Sequence, residues 1–139
     1  MNSQYVIGID VGGQTTKLGV VDARGTVLAQ TVIRTDTYED INPYIAELAE
    51  ALNRIIKESG KEGEIRGIGV GAPNGNYYTG TIENAVNLSW GGTRIIHFAE
   101  LLSKAMNGLP VALTNDANAA AVGEMTYGAA RGMKNFIMI

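Results

Sequence analysis

The sequence predicts an α/β layer fold, a mixed sheet flanked by helices, on three observations. Short apolar runs punctuated by glycine open the chain, and a clear change to helical spacing follows them. Strand-like and helix-like segments then alternate to the end. The 18 glycines among 139 residues are about twice the usual share, and they cluster where apolar runs stop. Such a pattern marks strands that end in turns with work to do.

Residues Tyr5 to Asp10 form a compact apolar run that reads as a central strand. Thr16 to Val21 and Thr26 to Arg34 are two further β-rich runs. Between them Asp22-Ala23-Arg24-Gly25 is a hairpin connection with a glycine available for positive φ. The opening is therefore an expected three-stranded antiparallel meander. Ile41, Ile45, Leu48, Leu52 and Ile55 then recur at three and four residues and line one face of a helix. Asn42-Pro43 suits its cap and first turn, and Gly60 suits its stop. Ile65 to Ala72 alternates glycine with β-formers and reads as a buried strand that approaches another backbone. Residues 73–87, rich in asparagine, glycine and tyrosine, read as an exposed hairpin or loop.

A second amphipathic helix is expected over Ile95, Phe98, Ala99, Leu102 and Met106, closed by Gly108-Leu109-Pro110. Val111–Thr114 reads as a short strand, Ala117 to about Tyr127 as a third helix, and Phe136–Ile139 as the start of another strand.

Composition excludes several functions. There is no cysteine and a single histidine, His97, so a thiol nucleophile or a structural zinc site is not expected, and a cytoplasmic setting is. The net charge of −3 argues against a nucleic-acid surface. No apolar run reaches the ~18 residues of a membrane helix, and the N-terminus lacks signal-peptide character. At this length a chain buries roughly two-thirds of its unfolded surface, enough for a core without staples.

Three segments carry candidate chemistry. The first, Asp10-Val11-Gly12-Gly13-Gln14-Thr15-Thr16-Lys17, follows the first strand. Adjacent glycines let backbone amides approach an anion, Thr15 and Thr16 add hydroxyls, and Lys17 adds positive charge. Asp10 could hold a water-coordinated Mg²⁺, or serve only as a turn former. A Walker loop is absent, because no lysine follows a glycine at the required spacing. Gly67-Ile68-Gly69-Val70-Gly71-Ala72 matches a dinucleotide pattern, but its glycines fall inside the expected strand and Pro73 follows where a helix should open.

The second segment is Asn115-Asp116-Ala117-Asn118, between an expected strand and an expected helix, the usual address of sites in open α/β sheets. Asp116 could take a proton from a substrate hydroxyl or cap the helix. Asn115 and Asn118 suit a polyol, since each amide donates and accepts. The third segment runs from Gly71-Ala72-Pro73-Asn74 to Glu83-Asn84-Ala85-Val86-Asn87-Leu88-Ser89-Trp90. Its small and amide side chains suit a neutral, hydroxyl-rich ligand or an ordinary turn. Trp90 reads as a core anchor and His97 as structural.

Together, and in this order, the three segments resemble the ROK family of sugar kinases and repressors, most closely its glucokinase-like members. GIDVGGQTTKLGVVD resembles the family's first phosphate loop, GVGAPNGNYYTGTIENAVNLSW its sugar segment, and NDANAAAVGEMTYGAARG its catalytic segment. The resemblance implies an actin/hexokinase-like (ribonuclease H-like) N-terminal domain over residues 1–133, with residues 134–139 beginning a second domain. It implies ATP and Mg²⁺ as cofactors and a hexose as substrate, while charge and hydropathy argue against nucleic-acid or membrane partners. Asp10, Gly12, Gly13, Gln14, Thr15 and Lys17 would face the nucleotide and its metal. Asp116 would be the general base, with Ala72, Pro73, Asn87 and Asn115 gripping the sugar.

Two positions depart from the family pattern: Gln14 stands where threonine is usual, and Val86 where proline is frequent. The family's adenosine pocket, Glu-x-x-His clamp and zinc cysteines have no counterpart here. An N-terminal lobe, inactive alone, is therefore expected, from a full-length homodimer, with the tail at Phe136–Ile139 open to association. A sugar-sensing repressor, or a kinase for a non-sugar substrate, are the alternatives. The repressor is disfavoured because the first strand starts by Tyr5, without room for a DNA-binding domain before it.

Overall fold

The computed structural model describes residues 5–22, 24–76 and 78–114. The meander forms as the sequence predicts: β1 (Tyr5–Val11), β2 (Thr15–Val21) and β3 (Val27–Arg34) pair antiparallel. The β2–β3 turn is organised by Asp22, whose carboxylate accepts the amides of Arg24 and Thr26 at 2.9 Å each. Gly25 takes φ 87° there, a conformation in which a Cβ would be strained. Those two amides, that of Thr26 first, hold the Asp22 carboxyl below its ordinary range.

Helix α1 (Ile41–Ser59) follows, and its cap lies two residues before the expected one. The Asp40 carboxylate accepts the Asn42 amide, so Asn42 and Pro43 both sit inside the first turn. An aspartate in extended backbone outcompetes an asparagine whose own amide needs the cap. Gly60 closes the helix at φ 74°, as expected.

Strand β4 (Ile65–Gly71) runs parallel to β1, and β8 (Val111–Thr114) runs parallel to β4. The five-stranded mixed sheet has the order β3-β2-β1-β4-β8. The glycines of residues 67–71 therefore lie inside a strand, which removes the dinucleotide reading. Residues 73–87 are not a plain loop. They contain β5 (Gly75–Asn76) and β6 (Thr81–Glu83), which form a small antiparallel sheet with β7 (Ile95–Ile96). Helix α2 (Phe98–Ala105) starts three residues later than its apolar spacing implies, because Ile96 pairs with Ile82 and Ile95 with Glu83. Cross-strand pairing wins over helical periodicity at those two isoleucines.

One core cluster joins the sheet to both helices. Ile7, Ile9 and Val11 of β1 and Leu18 and Val20 of β2 share a face with Tyr44, Leu48, Leu52 and Ile55 of α1. Trp90, fully buried, stacks on Tyr44 with ring centroids 4.8 Å apart, and lies 5.9 Å from Phe98. It is a core anchor, as expected. His97 is exposed at the start of α2 and makes no side-chain capping bond. The expected third helix (117–127) and closing strand (136–139) lie outside the described residues.

Candidate functional site

The carboxyl ends of the three parallel strands stand side by side. Asp10 is in register with Gly71, and Gly71 with Thr114. Neighbouring strands lie about 4.8 Å apart, so this row of three spans about 10 Å. Open α/β sheets bind ligands at this edge. Asp10 is half-buried, directly opposite exposed Lys17 on β2, and both point away from the face that α1 covers. Thr15, two residues from Lys17, shares that face.

Between β1 and β2 the chain turns through Gly12-Gly13-Gln14. The Gly12 amide donates to the Thr15 carbonyl at 2.9 Å, which closes the turn. A Cβ on Gly12 would lie 3.0 Å from that same oxygen, so a side chain there would press the Thr15 carbonyl back by a few tenths of an ångström. Gly12 thus shapes the loop, and its amide is already spent. Gly13 and Gln14 are exposed. The Gln14 carbonyl accepts the Thr35 amide at 2.9 Å.

Thr16 does not join this surface. Strand alternation turns its side chain to the α1 face, where it is fully buried. Its hydroxyl is 2.6 Å from that of Thr35 and 2.7 Å from that of Tyr44. The expected hydroxyl donor of the phosphate segment is therefore Thr15 alone.

The third segment comes to the same edge. Ala72, fully buried, and half-buried Pro73 continue β4, and the Ala72 carbonyl accepts the Gly75 amide. Asn74 holds φ 60°, and its side-chain amide donates to the carbonyls of Glu83 and Asn84 at 3.0 Å each. That clamp ties the start of the segment to residues 83–84. Residues 84–94 form a compact loop, closed where the Asn84 amide meets the Arg94 carbonyl at 3.1 Å. Ala85, Leu88 and Trp90 anchor it inside, leaving Val86 and Asn87 outside. The Asn87 carbonyl lies 3.4 Å from where a Gly13 Cβ would be. Two segments 74 residues apart thus meet backbone to backbone at Gly13 and Asn87, positions the sequence reading had assigned to different ligands. Asn115, Asp116 and Asn118 lie outside the described residues.

A match to the ROK family covers residues 6–139, nearly the whole chain. The chain belongs to the ROK family. A relative in Halalkalibacterium halodurans named glucokinase is 34% identical over all of this chain and 42% of its own length. The ROK hexokinase of Thermus thermophilus matches 92% of this chain and 40% of its own, with TM-score 0.65 and 34% identity. A ROK glucokinase from Streptomyces griseus, crystallised with glucose and AMPPNP, matches with TM-score 0.63 and 29% identity over 92% of this chain and 38% of its own. The chain spans about two-fifths of these ROK relatives. Their likeness bears out the expected fold, a mixed α/β sheet of the kind found in ROK sugar kinases.

Sequence reasoning missed Thr35 and Tyr44, and it named Ser89 only as part of the third segment, without its contacts. Ser89 donates to the Tyr38 carbonyl at 2.6 Å and reaches the Thr35 carbonyl at 3.4 Å. Their partners are 19 to 54 residues away, so no local pattern announces them.

Proposed function

We propose that this chain is the N-terminal lobe of an ATP-dependent hexose kinase of glucokinase type, working in the cytoplasm as part of a longer, homodimeric protein. In this reading residues 134–139 begin the second domain. One observation carries it: the glycine turn and the 84–94 loop converge on the edge where β1, β4 and β8 end. Beyond the row Asp10–Gly71–Thr114, the chain reaches Gly12, Pro73 and Asp116 after two residues each.

Gly13, Gln14, Thr15 and Lys17 face the ATP phosphates, while Gly12 gives the turn its shape. Exposed Gly13, close to the Asn87 carbonyl, fits a cradle of bare backbone. Asp10 fits a metal bound with the nucleotide. Among the described residues no group of three or more His, Cys, Asp or Glu forms a metal cage. One carboxylate plus phosphate oxygens and water is the coordination Mg²⁺ favours. Bound there with ATP, Mg²⁺ would neutralise phosphate charge.

The sugar lies against Pro73 and Asn87, with fully buried Ala72 supporting that edge from beneath rather than touching the ligand, and Asn115 hydrogen-bonds its hydroxyls. The Asp116 carboxylate accepts the proton of the attacking hydroxyl as the oxygen–phosphorus bond forms and ADP leaves. A coupled ADP-release assay on the full-length protein tests the reading. ADP release that depends on an added hexose is expected. Release that is indifferent to every hexose of a panel overturns it.

A further inference from the structure

Thr35 sits where the two halves of the site are joined, and each of its polar groups is used. Its amide donates to the Gln14 carbonyl of the glycine turn at 2.9 Å. Its hydroxyl meets that of Thr16 on β2 at 2.6 Å. Its carbonyl faces the Ser89 hydroxyl of the 84–94 loop at 3.4 Å, and Ser89 is fastened more tightly to Tyr38, three residues on, at 2.6 Å. Thr35 is fully buried, yet it belongs to no strand or helix.

A second route runs parallel to the first. The Thr16 hydroxyl also meets that of Tyr44 at 2.7 Å, and the Tyr44 ring stacks on Trp90 of the same loop. Burying three hydroxyls together is costly unless they satisfy one another, and an apolar trio would pack here without that cost. What the hydroxyls add is direction: they set the height of β2 and its glycine turn against α1 and the loop.

We infer that Thr35 is a positioning residue of phosphoryl transfer, holding the glycine turn and the 84–94 loop in one fixed relation through its amide, hydroxyl and carbonyl. The inference rests on the kinase reading above. In-line transfer needs donor and acceptor aligned, and a misplacement of about 1 Å costs on the order of 10²-fold. Neither ligand needs Thr35 in order to bind, since it is buried behind both segments. Its loss is therefore felt in turnover and in the coupling between ligands.

The test uses the full-length protein with Thr35→Val and Thr35→Ser. Valine matches threonine in shape and keeps the amide and carbonyl contacts, while the Thr16 hydroxyl retains Tyr44. Hexose-dependent ADP release gives kcat and KM. Titrations with glucose and AMP-PNP, each alone and then with the other bound, give the coupling factor. For Thr35→Val, kcat is expected to fall on the order of tenfold, with each single-ligand affinity held within about twofold and the coupling factor reduced toward one. Thr35→Ser restores both kcat and coupling.

An active wild type with an equally active Thr35→Val variant overturns the inference. So does a loss that serine fails to restore, or one that matches the unfolded fraction measured by circular dichroism. A wild type without hexose-dependent ADP release instead overturns the kinase reading, and the inference falls with it.

Discussion

Gly91 carries the sharpest steric constraint on the 84–94 loop. A Cβ built there would lie 2.5 Å from the Ala85 carbonyl oxygen, 3.2 Å from its Cβ and 3.3 Å from its carbonyl carbon. Carbon–oxygen contacts close at about 3.3 Å, so Gly91→Ala must move the Ala85 backbone by about 0.8 Å. Ala85 is buried, and its carbonyl accepts the Leu88 amide at 3.0 Å. Overpacking of this kind costs about 1–3 kcal/mol, and loss of the turn bond adds about 0.5–1.5 kcal/mol. Partial relaxation of the loop keeps the sum near 2–3 kcal/mol, a large share of a typical domain's stability.

Gly92→Ala is the matched control. Gly92 holds φ 59° with open space where a Cβ would stand. It should cost about 1 kcal/mol through backbone strain and leave Ala85 unmoved. Urea denaturation of both variants in the full-length protein measures the difference, and the sugar KM reports on the loop. Gly91→Ala should raise that KM, because Asn87 lies between Ala85 and Gly91, whereas Gly92→Ala should not. A Gly91→Ala cost no greater than that of Gly92→Ala would refute the steric argument.

Two further outcomes follow from the same contacts. Burial, above all, raises the Tyr44 hydroxyl pKa well above the ordinary tyrosine value, with the Thr16 contact opposing. Stability from its neutral form is complete below pH ~10 and is lost progressively as pH rises, because the unfolded tyrosine ionises first. Tyr44→Phe should reduce the alkaline fall in stability by up to about 1.4 kcal/mol per pH unit, read by chemical denaturation between pH 9 and 11. An unchanged slope would contradict burial of that hydroxyl. Asn74→Ala should destabilise by about 2–4 kcal/mol, combining φ 60° strain with loss of two amide bonds, whereas Asn74→Gly keeps the φ and loses only the bonds. Equal costs for the two would show that the strain contributes nothing.

The meander, α1, β4 and β8 were legible because each is a local pattern: alternation, three- and four-residue spacing, or a glycine stop. The segments Gly12–Thr15 and Ala72–Asn87 stood out as candidate chemistry for the same reason. Ile95 and Ile96 were misread because helical spacing fits them equally well, and only their pairing with β6 decides. The Asp40 cap was missed because Asn42-Pro43 offers a competing local signal. Thr16 was assigned to the phosphate surface because the sequence does not say which face of β2 is covered. The Thr35–Thr16–Tyr44 hydroxyls and the Ser89 contacts were invisible, being brought together by tertiary packing alone.

Chemistry at the acidic position two residues past β8 is the most direct check on the kinase reading. Asp116→Asn in the full-length protein keeps size and hydrogen-bonding reach while removing the base. Turnover with a hexose should fall about 10²–10⁴-fold, with glucose affinity by calorimetry within a few-fold of the wild type. Full turnover in that variant would remove the carboxylate from the reaction and leave the strand edge without its chemistry.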